Sequence, residues 1–461
     1  MKALRDPDHL LAEGLAEIRA QFQVPATFPP DVLAAAEAAA RRVPDAHADR
    51  TAVPFVTLDP ATSTDLDQAF AIEAAGADLL LHYAIADVAW FVADGDPLDA
   101  EAWRRGETLY LPDGKAGLYP PVLAEGAASL LPDGPRPAIV LTTRVAPDGG
   151  VKLEGVERAL VRSRAKLAYE TVRDDQLPTG FVELADRVTA AEDRRGAARV
   201  DPPEQEVERD GDGHFTLRLR PQVPAELRNA ALSLATNLAV ADALHAAGTG
   251  LFRVMAPPDA RAEQRLRGTA AAFGLVWPAE MTLAQFTLRL DPRDAKHAAF
   301  MLAVRRAGEG ARYQPYRPGV IPWHAAMAAT YAHATAPLRR LADRYVLRAA
   351  LAVANGRAVP PELTDAFSRL PPVMAKAEAR SGQVDRAAKD LAEAAMLAGE
   401  EGREFDAVVT DIGENGARIQ LCEQAVVARA RLAQATPGDH VRVRLIAADP
   451  ARRQLQFEAA G

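Results

Sequence analysis

The sequence predicts an α+β body followed by a five-stranded OB-fold β-barrel, with a small helical module at the start. Three observations carry this. Short apolar runs separated by Gly, Pro and Asp turns fill residues 55–160, a pattern that reads as β structure. Ala- and Leu-rich stretches at helical spacing dominate 226–400. Beyond residue 403 the pattern changes to five short strands, as an OB-fold barrel requires. At 461 residues the chain exceeds one typical core. We divide it into a helical module at 1–50, the body at 51–400 and the barrel at 401–461.

In the first part, Leu10, Leu11, Leu15 and Ile18 share one face of a helix expected over 7–21. Phe28-Pro-Pro30 breaks the chain, and Asp31 is placed to cap a second helix through about Arg42. A helix-turn-helix is one form such a pair takes. In the body, 81–92 is an apolar run with one acid, Asp87. It reads as a buried strand with a hydrogen-bonded structural acid. Helices are expected over 226–246, 260–273, 283–307, 339–354 and 361–400. The barrel strands fall at 405–409, 417–421, 425–428, 440–445 and 454–457, and they read as a separate compact unit.

Composition narrows the function. No apolar run is long enough to span a membrane and Met1 opens no signal-peptide core. The lone Cys422 excludes an internal disulfide and a cysteine zinc site, which fits a reducing cytoplasm. A net charge of −9 argues mildly against nucleic acid, but a local cleft outweighs the total.

The most informative segment is Phe55-Val-Thr-Leu-Asp-Pro-Ala-Thr-Ser-Thr-Asp-Leu-Asp-Gln-Ala-Phe70. An apolar strand delivers Asp59, a turn follows, and Asp65 and Asp67 sit two apart before Gln68. Residues two apart on extended chain face the same side. Carboxylates gathered so closely repel unless a cation neutralises them, and hard oxygens suit Mg²⁺. An isolated Asp-x-Asp is more often a solvated loop, so context decides.

That context is Ile85-Ala-Asp-Val88, Leu109-Tyr-Leu-Pro112, Ala128-Ser-Leu-Leu-Pro132 and Tyr331-Ala-His-Ala-Thr-Ala-Pro-Leu-Arg-Arg-Leu-Ala-Asp343. In this order the segments resemble the catalytic domain of the ribonuclease II family of 3′→5′ exoribonucleases, the RNB domain, over about 55–351. The barrel resembles the RNA-binding barrel of the same family. Relatives often carry two cold-shock barrels ahead of the catalytic domain. The residues ahead of Phe55 are too few for these, so a helical module is expected in their place.

The resemblance implies Mg²⁺-dependent, processive 3′→5′ hydrolysis of single-stranded RNA to nucleoside 5′-monophosphates by two metals, with Mn²⁺ as a substitute. It implies metal ligands at Asp59, Asp65, Asp67 and Gln68, with Asp65 and Asp67 also catalytic. Arg339 is expected on the scissile phosphate, and Arg340 and Arg348 on further phosphates. Tyr110 is expected to stack on a base, a contact that tolerates sequence. Stacking aromatics are sparse on the barrel, so Arg418, Arg429, Arg442 and Arg444 are expected to carry its RNA binding. His82, His324 and His333 are scattered singly and read as structural. A monomer without membrane contact is expected.

The chain departs from the family at four places, and two of them, Gln68 and a missing Glu, motivate an alternative. Gln68 stands where the family has an acid, and Ala336-Pro-Leu-Arg339 where it has Ser-Pro-Ile-Arg. Ala230 and Ala231 precede Asn237 where the family has a Glu, and Val200 falls at its second base-clamping aromatic. The alternative is a catalytically weakened RNA-binding relative. An unrelated Asp-x-Asp phosphatase would leave the downstream segments unexplained.

Overall fold

The computed structural model describes residues 10–197, 204–209, 215–220, 223–291, 294–308, 310–413 and 416–460. Residues 7–9 of the expected first helix and Val200 lie outside them.

One seven-stranded sheet organises the body. Its order is Ala48–Asp49, Val151–Val161, Arg136–Val145, Asp78–Ala86, Gln68–Ala75, Phe55–Asp59, Ser163–Ala168. The outermost pairs are parallel and the inner ones antiparallel. Leu81, Tyr83 and Ile85 of the central strand are fully buried. That strand ends at Ala86, earlier than the apolar run suggests, and Val88–Phe91 form a short helix. Asp87 marks the change: it takes up His47 Nε2 at 3.1 Å and Arg158 Nε at 3.0 Å. It is a structural acid.

Helix Pro224–Ala246 packs on this sheet beside Phe181–Arg195 and Leu341–Ala354. The Phe181–Arg195 helix is absent from the sequence reading. Its buried Phe181, Leu184, Ala185 and Val188 stand at helical spacing, but four acids and three arginines hide that stripe. Residues Glu204–Arg209 and Phe215–Arg220 form an unanticipated antiparallel pair.

The expected 283–307 helix is two, Leu283–Thr287 and Ala295–Ala307. Asp294 restarts the helix by accepting from the backbone N–H of Lys296 and His297. With Ala260–Ala272 these helices form a small core of their own around Phe273, Phe286 and Phe300.

The two N-terminal helices do not pack as a pair. Leu10–Gln21 lies on the long helix Pro361–Leu397, whereas Pro30–Ala40 lies on Pro97–Arg105. Their apolar faces enter different cores, so the two helices within the described residues 10–50 share no core of their own. Asp31 is not the cap: Pro29 holds that position and Asp31 sits in the first turn.

The C-terminal strands close a barrel in the order Glu404–Gly413, Gly416–Leu421, Val427–Arg431, Gln454–Ala459, His440–Asp449. Its core is not separate. Leu11, Leu15, Val384 and Leu391 belong to the same cluster as Phe405, Val409, Ile419 and Phe457. Gly438, at φ +94°, presses on the helical lobe; a Cβ there would lie 2.8 Å from Phe273 Cδ1. Only glycine fits so close an approach at that φ.

Candidate active site

Asp59 ends the strand Phe55–Asp59, and Gln68 begins the returning strand, with Asp65 and Asp67 in the irregular link. Ser129 fixes this link. Its hydroxyl accepts from Leu66 N at 2.9 Å and donates to Thr64 O at 2.7 Å. Leu130 N also donates to Leu66 O. The 128–132 segment thus serves as a clamp on the acids.

Residues 335–340 close over the acids from the other side. Asp67 Oδ1 accepts from Leu338 N at 2.7 Å, and Asp67 Oδ2 lies 3.6 Å from Arg339 Nε. Thr108 N donates to Arg339 O, and Leu341 N to Gly106 O. This pairing sets Tyr110 beside Arg339's segment. Gly106 (φ +77°) permits it, since a Cβ there would lie 2.6 Å from Ala377 Cβ on the long helix.

Asp59, Asp65, Asp67, Gln68, Tyr110, Arg339 and Arg340 all border one cavity of about 1000 Å³. Tyr110 is 53% exposed, yet its hydroxyl end is sheltered and reaches Asp65 Oδ2 at 3.2 Å. Burial pushes the Asp59 carboxyl up to about 7 and Asp67 to about 8, although Arg339 pulls both down. A bound cation would favour their ionised forms. Asp59 Oδ2 is buried and makes no hydrogen bond. This orphaned hard oxygen, on a cavity that Asp67 also borders, fits a divalent ion. Yet among the described residues no three His, Cys, Asp or Glu side chains converge on one metal position.

Two of the expected ligands are otherwise engaged. Asp65 Oδ1 lies 2.7 Å from Lys115 Nζ. Gln68 Nε2 donates to Thr335 O at 2.7 Å, while its Oε1 accepts from Tyr83 OH at 2.5 Å.

The arginines divide by partner. Arg339 is 42% exposed in its side chain and faces the cavity. Arg340 makes a two-pronged pair with buried Asp343, at 3.0 and 2.8 Å, so it braces the segment rather than reaching for phosphate. Arg348 pairs with Asp94 at 2.6 and 2.7 Å and does not border the cavity. Arg418 and Arg429 face each other across two barrel strands, whereas Arg442 and Arg444 share Glu404. His82 contacts Thr142 and Glu73, and His333 contacts Tyr313; neither they nor His324 border the cavity.

Sequence reasoning missed Lys115, Tyr169, Asn229 and Thr335. Tyr169 N donates to Asp59 O, and Asn229 Nδ2 donates to Tyr169 OH at 2.9 Å. Thr335 stands inside the 331–343 segment but draws no notice there beside Arg339, and Lys115, Tyr169 and Asn229 lie outside the acidic and arginine motifs, so only tertiary proximity reveals their contacts.

The RNB domain family matches residues 48–355. The chain belongs to that family. Residues 403–460 match the RNase II-type exonuclease C-terminal S1 domain. Ribonuclease R of Aquifex aeolicus is 26% identical over 489 residues, covering 95% of this chain and 69% of that protein. Other curated relatives are spanned over only 53% to 62% of their length. The fold is that of Mycoplasma genitalium RNase R, solved with ribose-methylated single-stranded RNA. The TM-score is 0.87 at 19% identity, covering 100% of this chain and 79% of the other. Yeast Ssd1, a pseudonuclease, shares the fold at TM-score 0.69 and 17% identity, over 98% of this chain and 58% of the other. The fold is thus shared with a pseudonuclease, and the site residues carry the functional argument.

Proposed function

We propose that this RNB-family chain is a divalent-cation-dependent 3′→5′ exoribonuclease. It takes single-stranded RNA into the cavity and releases nucleoside 5′-monophosphates processively. The observation that carries this is that Asp59, Asp67, Arg339 and exposed Tyr110 border one cavity, with Arg339 Nε 3.6 Å from Asp67. Asp59 and Asp67 would hold Mg²⁺, or Mn²⁺ in its place, which supplies Lewis-acid stabilisation of the phosphate and an activated water. Arg339 offers its guanidinium to the charge that builds on the scissile phosphate. Tyr110 presents its ring face for stacking on a base while its hydroxyl steadies Asp65. Arg418 and Arg429, register partners on neighbouring barrel strands, set two guanidinium groups side by side, which suits an RNA backbone.

Among the described residues no helix is long and apolar enough to cross a membrane. A single cysteine leaves no internal disulfide, which fits a reducing cytoplasm; we also read the chain as a monomer.

The test uses one single-stranded RNA labelled at the 5′ end in one tube and the 3′ end in another, with and without EDTA. Full-length RNA giving way to a short limit product with few intermediates from the 5′ label, immediate mononucleotide from the 3′ label, and silence in EDTA are expected. Internal cuts, or equal rates in EDTA, would sink this reading.

A second reading has its own observation. With Gln68 and Asp65 both engaged, the chain is an RNA-binding relative with weakened catalysis. Tight RNA binding with no product at any Mg²⁺ or Mn²⁺ concentration would select it.

A further inference from the structure

The hairpin of Leu109–Leu111 and Gly114–Ala116 places Tyr110 directly opposite Lys115. Cross-strand partners in this register lie side by side, and both reach the same carboxylate. Lys115 Nζ sits 2.7 Å from Asp65 Oδ1, and Tyr110 OH donates to Asp65 Oδ2 at 3.2 Å. Lys115 also lies 3.2 Å from Glu125 Oε1, and Glu125 Oε2 accepts from Thr64 Oγ1 at 2.8 Å. The ammonium is thus held by two carboxylates and is mostly covered, at 24% side-chain exposure. Both oxygens of Asp65 are occupied by groups of the hairpin.

Gln68 is committed as well. A carbonyl oxygen only accepts, so the atom facing Thr335 O must be the amide nitrogen. The amide oxygen is thereby turned to the Tyr83 hydroxyl at 2.5 Å, with Ser233 Oγ at 3.4 Å. Tyr83 is fully buried, which fixes that end. Gln68 is a strut between the sheet and the Arg339 segment. It borders the cavity, but its amide oxygen is already an acceptor for Tyr83, which sets it apart from the ligands of the sequence reading. What remains is Asp59 Oδ2, buried with no partner, and Asp67 Oδ2, whose nearest cation, Arg339 Nε, stands off at 3.6 Å.

We propose that Lys115 occupies the place of a second ion, so that this centre holds a single divalent cation between Asp59 and Asp67. The inference rests on the reading of the cavity as a cation-dependent nuclease centre. Two carboxylates are what one Mg²⁺ takes, with its other positions left to water and phosphate. A fixed ammonium neutralises Asp65 as a compact point charge. Lys115 is therefore a positioning residue, acting through Asp65 and the Tyr110 hydroxyl.

The full-length chain, stripped with EDTA, is titrated with Mn²⁺ by calorimetry and by the paramagnetic signal of free Mn²⁺. One ion per chain should disappear when Asp59→Asn and Asp67→Asn are combined. Two ions lost in that comparison, or none, overturns the proposal. Lys115→Met with Gln68→Asp frees oxygens at both positions, and the count should rise to two. A count of one in this variant, with a cooperative melt, also overturns it. Should the double variant fail to fold, Lys115→Met alone decides. Loss of a nearby positive charge should tighten Mn²⁺ binding by about five- to tenfold, whereas unchanged or weaker affinity counts against the proposal. Ion counts are read without RNA, so they stand or fall separately from the cleavage assay.

Discussion

Asp67 Oδ1 accepts a hydrogen bond from the Leu338 backbone N–H at 2.7 Å, which ties the acidic segment to the residue before Arg339. Asparagine can still accept that bond, whereas alanine cannot. Asp67→Asn should therefore lose RNA cleavage while keeping RNA affinity and stability. Asp67→Ala should in addition lose about 1–3 kcal/mol of stability, from a buried N–H left without a partner. Urea denaturation and RNA anisotropy separate the two effects. Cleavage by Asp67→Asn within a few-fold of the parent contradicts this role.

Arg339 lies 3.6 Å from Asp67 and keeps 42% of its side chain exposed to the cavity. Arg339→Ala should lower kcat by about 10²–10³-fold, as for other removed donors to developing charge. Arg348→Ala should leave turnover unchanged, because Arg348 is spent on Asp94. Equal losses in both variants would show that position in the arginine-rich stretch, not the cavity, matters.

Tyr110 offers an exposed ring. In an Asp67→Asn background, Tyr110→Ala should weaken single-stranded RNA binding by about 1–3 kcal/mol, and Tyr110→Phe should not. If Phe and Ala weaken binding equally, the hydroxyl contact with Asp65 is what counts and the stacking role is lost.

Arg418 and Arg429 face each other across the barrel. Their joint replacement by Glu should weaken RNA binding and flatten its salt dependence, because phosphate contacts release counterions. Deleting the barrel is a poorer test than its separate strands suggest, since its core is shared with Leu11, Leu15 and Leu391. A salt slope identical to the parent's would exclude these arginines from the RNA path.

Glu393 joins the long helix to the barrel: its Oε1 accepts from Val427 N at 2.7 Å and Gln205 Nε2 at 2.6 Å. Burial pushes this carboxyl up to about 7, above the ordinary glutamate value. The folded state thus holds the proton more tightly than the unfolded one. Its contribution is full at acid pH and declines as pH rises from the unfolded pKa, about 4.3, through about 7. Glu393→Gln should remove that part of the decline. A melting profile between pH 5 and pH 8 unchanged by the substitution would refute it.

The sequence by itself determined the family, the strand-turn-strand placement of Asp59, Asp65 and Asp67, and the closed C-terminal barrel. These are local facts: hydrophobic period, turn residues and short charged motifs are written in consecutive positions. It also identified Arg339 and Tyr110 through the segments that carry them. Only the tertiary structure decided what each acid and arginine faces. Lys115 is 50 positions from Asp65, and Thr335 is 267 from Gln68. Such distances in the chain leave no periodic trace. Arg340 reads like Arg339 in sequence, yet one turns to Asp343 and the other to the cavity. The N-terminal helices were legible as helices, but not their separation into two cores. An apolar stripe states that a face is buried, while the partner that buries it is set by the packing of the whole chain.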